Sequence, residues 1–104
     1  MIDLKGHTAL ITGSSKGVGR AIAMAYAQAG ANVLIHGRAP GAESDEVIAF
    51  CRNQGVRANF VAGDLSGPTE QAVNEVYNAA IAIEPDIDIL VNNAGQYFDL
   101  PFLE

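Results

Sequence analysis

Short apolar runs alternate along the chain with stretches of helical spacing. The runs are Thr8 to Ile11, Asn32 to His36, Arg57 to Ala62 and Ile87 to Asn92. Within them Leu10-Ile11, Val33-Leu34-Ile35 and Ile89-Leu90-Val91 are continuous rather than alternating. A continuous apolar strand needs cover on both faces, which is the condition of a parallel sheet sandwiched by helices. The pattern therefore predicts an α/β domain of four parallel strands joined by helical crossovers, built from βαβ units.

The intervening segments predict three helices. The first carries Val18, Ala21, Ile22, Ala25 and Ala29 at helical spacing, expected to be its buried face, and closes at Gly30. The second runs from about Glu43 to Gln54, buries Val47, Phe50 and Cys51, and stops at Gly55. The third opens near Pro68, buries Val73, Val76, Tyr77 and Ala80, and is halted by Pro85. No repeat and no long linker divides the chain, so residues 1–104 are expected to form one domain.

Composition narrows the class. With 49% hydrophobic and 17% charged residues the chain suits a folded α/β domain rather than a disordered segment. Its net charge of -6 argues against nucleic acid as a partner, because phosphate backbones are held by basic faces. No apolar run approaches the roughly 18 residues that cross a bilayer, and Met1-Ile2-Asp3-Leu4-Lys5 lacks the apolar core of a signal peptide. A cytoplasmic location is the expectation. Cys51 has no second cysteine to pair with, for a disulfide or for a metal, and reads as core filler. Among the six Lys and Arg residues, Lys16, Arg20 and Arg38 cluster in the first unit and just after the second strand, although Arg20 reads more simply as a solvated helix residue.

The most informative stretch is Thr12-Gly13-Ser14-Ser15-Lys16-Gly17-Val18-Gly19, which leaves the first strand and opens the first helix. Gly13 permits a tight turn, Gly17 a close backbone approach to a pyrophosphate, and Gly19 close packing of helix on sheet. The helix N-terminus adds free N–H groups and the positive end of its dipole, and the Ser14 and Ser15 hydroxyls are expected as further donors. Gly-rich turns also occur with no ligand, so the flanking strand and helix carry the reading. A nucleoside-triphosphate P-loop is excluded, since no Gly-x-x-x-x-Gly-Lys-Ser/Thr occurs.

The end of the second strand speaks to which dinucleotide fits. An NAD site of this kind places a carboxylate there for the ribose 2'-hydroxyl, whereas this chain has His36-Gly37-Arg38. Arg38 can pair with a 2'-phosphate, and Lys16 supplies a second cation from the turn, which points to NADP(H). The competing reading makes Arg38 an exposed loop cation and Lys16 a coincidence. For His36 two readings stand equally, a ring near the adenine or a strand-end histidine without a duty.

The turn, the Asp64-Leu65 pair after the third strand and Asn92-Asn93-Ala94-Gly95 after the fourth together resemble the short-chain dehydrogenase/reductase family, in order and spacing across the whole chain. The resemblance implies a Rossmann-type sheet in strand order 3-2-1-4, partial at four strands. It implies that Asp64 accepts a hydrogen bond from the adenine amino group with the Leu65 backbone beside it, that Asn92 ties the central strands together, and that Ala94 and Gly95 line the ribose and nicotinamide side. For Asp64 the alternative is an N-terminal cap or charge on the third helix. Lys16 and Arg38 match the pattern of NADP-preferring members. The cofactor-binding set is thus Gly13, Ser14, Ser15, Lys16, Gly17, Val18, Gly19, Arg38, Asp64, Leu65, Asn92, Ala94 and Gly95.

Members of that family move hydride between a nicotinamide cofactor and a carbonyl or alcohol, using a Tyr, a Lys four residues later and a Ser. None of these is expected in this chain: Tyr26, Tyr77 and Tyr97 are followed four residues on by Gly30, Ile81 and Pro101. A phenol titrating near 10 needs such a cation to work near neutrality. The resemblance places the catalytic residues beyond Glu104, in a parent enzyme that is expected to be a homo-oligomer, with this chain as its truncated front half. The alternative function is a non-catalytic dinucleotide-binding sensor or regulatory module, and no metal site is expected.

Overall fold

The computed structural model describes residues 3–64 and 70–93. Its elements run in the order β1 (Thr8–Ile11), α1 (Gly17–Gln28), β2 (Asn32–Gly37), α2 (Ala42–Asn53), β3 (Ala58–Ala62), α3 (Glu70–Ile83) and β4 (Ile89–Val91). All strand pairings are parallel, and the sheet order is β3-β2-β1-β4, the order that the resemblance implies. The chain steps outward from β1 through β2 to β3, then α3 carries it back across the sheet to place β4 on the other side of β1. That reversal falls at β1 and β4, and the carboxyl ends of the strands at such a switch are where open α/β sheets bind ligands.

Neighbouring residues of each strand serve opposite faces. Ala9, Ile11, Val33, Ile35 and Ala58 join Ala23 and Ala27 of α1 and Val47 and Cys51 of α2 in one core. Leu10, Leu34 and Val61 meet Val73, Val76 and Ala80 of α3 in the other. Both faces of β1 and β2 are therefore dry, which is why those strands have no polar alternation to show. Cys51 is wholly buried in the first of these cores, as expected of a filler.

The first helix presents a different face from the one its spacing predicts. Its buried residues are Gly19, Ala23 and Ala27, with Ile22, Met24 and Tyr26 partly covered, while Ala21 and Ala25 are exposed and Val18 is 69% exposed. Alanine occupies positions 21, 23, 25, 27 and 29, so the series 21-25-29 and 19-23-27 are equally helical. What separates them is the contact of Gly19 with the preceding turn. The two other helices bury the residues expected of them, except that Phe50 and Tyr77 are only partly covered and Ser44 joins the buried set of α2. Ser44 earns its place by accepting the Gly41 N–H at 2.9 Å and returning its own hydroxyl to the Gly41 carbonyl, which ties down the start of α2. The Pro68 opening of α3 lies outside the described residues.

Candidate dinucleotide-binding edge

The turn after β1 is held from three sides. Toward β4, the Thr12 N–H donates to the Val91 carbonyl at 3.0 Å and the Asn93 N–H donates to Thr12 Oγ1 at 2.9 Å. The Asn93 side-chain amide then donates to the Gly13 carbonyl at 3.1 Å. Toward β2, the Ser14 N–H donates to the His36 carbonyl and the His36 N–H donates to Ser14 Oγ, each at 2.9 Å. From below, the Ser14 hydroxyl donates to the Ile11 carbonyl at 2.6 Å.

Ser14 is consequently not the phosphate donor its position suggests. Its side chain is wholly buried and its hydroxyl is spent inside the protein, as a side-chain rung continuing the β1–β2 ladder past the end of β1. Ser15 remains half-buried, and Lys16 is exposed as the residue preceding α1.

Three glycines shape the turn, each for a different reason. Gly13 and Gly17 have φ of 60° and 64°, the left-handed region that strains any residue with a Cβ. Around Gly17 the space that a Cβ would fill is empty to 4 Å, so the backbone there is bare and approachable. Gly19 has ordinary helical backbone but no room: a Cβ would collide with the Gly13 carbonyl and sit 2.5 Å from Asn93 Nδ2. The first turn of α1 can thus lie directly on the loop it follows. No side chain caps this helix and its first turn holds no acidic residue, leaving the N-terminus electrostatically positive.

At the adenosine end expected for such a site, Arg38 and Asp64 are both largely exposed, with Arg38 Nε 3.7 Å from Asp64 Oδ1. Asn92 is exposed, and its Oδ1 lies 3.3 Å from the Thr12 hydroxyl. Asn93 also ties the central strands, through both its main-chain and side-chain N–H groups. Leu65, Ala94 and Gly95 lie outside the described residues. Among the described residues no cluster of His, Cys, Asp and Glu could hold a metal, and no helix is long and apolar enough to cross a membrane.

His36 is the residue whose role the sequence leaves open and the structure defines. It is buried at the end of β2, where the Gly13 N–H donates to its Nδ1 at 2.9 Å and its Nε2 lies 2.8 Å from the Gly63 carbonyl. A carbonyl can only accept, so Nε2 carries the proton, and Nδ1, which accepts, does not. The ring is the neutral Nε2–H tautomer. Burial pushes its pKa below the ordinary 6.5, opposed by the bond to Gly63. Neither ring nitrogen is free to face an adenine.

A parallel sheet in this order, with a glycine turn leading from its central strand into a helix, defines a Rossmann-type α/β domain. The chain belongs to the short chain dehydrogenase family, which it matches over residues 7–104. It is 43% identical to L-rhamnose 1-dehydrogenase (NADP(+)) of Thermoplasma acidophilum over 91% of this chain and 37% of that protein. Likewise it is 37% identical to the 3-oxoacyl-[acyl-carrier-protein] reductase of Aquifex aeolicus over 98% of this chain and 40% of that one. Among solved structures, a 3-oxoacyl (acyl-carrier-protein) reductase from Agrobacterium tumefaciens with NADP bound superposes with a TM-score of 0.79 at 43% identity, covering 94% of this chain and 36% of that one. The chain spans little more than a third of the length of these relatives.

Proposed function

We propose that this chain is the dinucleotide-binding part of an NADP(H)-dependent oxidoreductase that transfers hydride between NADPH and a carbonyl or alcohol substrate. The observation that carries the cofactor is the basic residue at the end of β2. Arg38 stands where an NAD site needs a carboxylate, with its guanidinium largely in solvent and Lys16 exposed at the head of α1. Two cations flanking one sheet edge suit a ribose 2'-phosphate and have nothing to offer a 2'-hydroxyl that a carboxylate would not offer better. The NADP(H)-linked names of two relatives support the same reading.

The rest of the edge fits the group. Bare backbone at Gly17 and the uncapped start of α1 would receive the pyrophosphate, Ser15 would add a hydroxyl, and the exposed side chain of Val18 offers an apolar surface beside them. Asp64 and Leu65, with Asn92, Ala94 and Gly95, would complete the set at the adenine and nicotinamide ends. When bound, the cofactor supplies the hydride, and these residues bind and orient it. A Tyr-x-x-x-Lys pair to move the proton does not occur in this sequence, so the chemical step calls on residues other than these.

The test is a calorimetric titration of the full natural polypeptide with NADPH and with NADH, followed by a hydride-transfer assay on a panel of ketones. Preference for NADPH with turnover is expected. Equal affinity for the two dinucleotides would remove the cofactor assignment, and tight binding without turnover would make the protein a sensor.

A further inference from the structure

We propose that His36 is a positioning residue for the dinucleotide, pinning the glycine turn to the loop after β3 only in its neutral form, so that protonating it releases the turn. The inference rests on the dinucleotide reading above and adds to it a residue that touches no ligand.

The geometry is that of a bracket. Nδ1 receives the Gly13 N–H at 2.9 Å, Nε2–H reaches the Gly63 carbonyl at 2.8 Å, and Gly63 immediately precedes Asp64. One ring therefore spans the two loops that flank the proposed cofactor, one bearing the phosphate-binding backbone and the other the proposed adenine acceptor. Main-chain bonds from the same residue to Ser14 fix the bracket to the turn, so the ring cannot swing away without disturbing the end of β2. Crowding fixes it from the other side. A Cβ on Gly63 would collide with Val76 of α3 and lie 3.8 Å from His36 Nε2, so the loop after β3 threads between helix and ring with no room to spare.

The bracket holds only while Nδ1 is an acceptor. A proton on Nδ1 would point at the Gly13 N–H, setting donor against donor in a buried space, and the turn would have to move. The charged groups on the elements around the ring are Lys16 in the turn, Arg20 on α1, Arg38 after β2, Asp64 after β3, and Glu70 and Glu75 on α3. Burial rather than any of these charges sets the ring's preference for the neutral form. Dinucleotide binding, which needs the turn in place, and protonation, which disrupts it, then oppose each other, and by linkage bound cofactor depresses the His36 pKa further.

The experiment uses the full natural polypeptide as wild type, His36→Asn and His36→Leu, titrated with NADPH and NADH between pH 5.5 and 8. Asparagine Oδ1 takes the place of Nδ1 and still accepts from Gly13 but cannot titrate, whereas leucine leaves that N–H unpaired. At pH 8, His36→Leu is expected to weaken both dinucleotides about tenfold, the scale of one unsatisfied buried donor, and His36→Asn by no more than about threefold. As pH falls, wild-type affinity should drop more steeply than that of His36→Asn, which cancels the titration of the cofactor's own 2'-phosphate near pH 6. Nitrogen-15 spectra of the ring should show the Nε2–H tautomer and a pKa that falls when NADPH is added. A folded His36→Leu binding as wild type does, or superimposable pH profiles of wild type and His36→Asn, would overturn the proposal while the cofactor reading stands. Should His36→Leu not fold, the comparison of pH profiles decides alone. Wild type binding neither dinucleotide overturns both.

Discussion

Arg38 Nε lies 3.7 Å from Asp64 Oδ1, so the guanidinium after β2 and the carboxylate after β3 meet in solvent at one corner of the sheet. Both are more than half exposed, and at that distance the pair contributes little to stability. Its consequence is positional: it sets the cation after β2 beside the loop after β3. We expect Arg38→Ala to leave the melting temperature within a degree or two while weakening NADPH by about tenfold to a hundredfold and NADH hardly at all, the cost of one charge-assisted contact to a phosphate. Parallel fluorescence titrations with the two cofactors check this. Equal losses for both would assign Arg38 to something other than the 2'-phosphate.

Gly17 and Gly19 are expected to fail differently when replaced by alanine. At Gly19 the added Cβ meets the Gly13 carbonyl and the Asn93 amide, backbone and a fixed side chain that cannot yield without dismantling the turn, so Gly19→Ala should lose about 1–3 kcal/mol of stability and cofactor binding with it. At Gly17 the space is open, and the cost is the positive φ alone, about 1–2 kcal/mol. Gly17→Ala should nonetheless bind NADPH at least tenfold more weakly, because its Cβ occupies the approach to bare backbone. Denaturant melts alongside titrations separate the two. A Gly17→Ala protein that binds normally would mean the pyrophosphate does not approach there.

Much of this is legible in the amino-acid sequence. Continuous apolar runs mark β1, β2 and β4, for β1 and β2 because burial on both faces leaves no alternation to misread, and the glycine, Asp and Asn-Asn motifs fall at strand ends where a parallel sheet must gather them. The buried face of α1 was not legible, because alanines at every second position satisfy two helical registers and only the Gly19 contact chooses between them. Nor was the burial of Ser14, since a serine in a Gly-rich turn looks alike whether its hydroxyl faces a ligand or a strand. A usable signal for His36 did exist. With Ile11 paired to Ile35, the next position outward sets His36 beside Thr12 and the turn, so the strand order alone brings an imidazole to Gly13.

Acid should act on this domain in two separate windows. His36 has its pKa held below 6.5 by burial, so the unfolded chain takes up a proton there before the folded one does. Its contribution is whole above about pH 6.5 and drains away as pH falls from there through the lower folded value. Asp88 is held below its ordinary 3.8, first by the Thr8 N–H and then by His7, so its contribution is whole above that value and is lost only as pH falls beneath it. Urea midpoints across pH should show two descending steps. His36→Asn should erase the upper step and Asp88→Asn the lower, and loss of both steps in either variant would refute the assignment.

The Arg57–Glu84 pair offers a control at the far edge of the sheet. Arg57 precedes β3 and donates to both oxygens of Glu84, at 2.8 and 3.0 Å, after the end of α3. The Glu84 side chain is nearly buried, so Arg57→Ala strands a carboxylate with little water to replace its partner. A lowered melting temperature is expected, with NADPH affinity unchanged because the cofactor edge lies at the opposite ends of the strands. A loss of affinity as large as that of Arg38→Ala would show that the site reads global stability rather than local contacts.

Cys51 reports whether the sheet and its helices stay closed. Burial raises its thiol to about 11 and seats the sulfur 3.9 Å from the Ala23 carbonyl, in the core shared by α1 and α2. Thiolate is the reactive form, so the native protein at pH 8 should label with a thiol reagent at least a hundredfold more slowly than the urea-unfolded chain, whose cysteine titrates near 8.5. Saturating NADPH should slow labelling further, since a ligand that binds only the closed form lowers the population of openings that expose the sulfur. NADH at the same concentration should protect less, in proportion to its weaker binding. Labelling that is fast in the native state, or indifferent to both cofactors, would mean that α1 and α2 part without disturbing the glycine turn, and that the turn is not anchored through Gly19 as the structure has it.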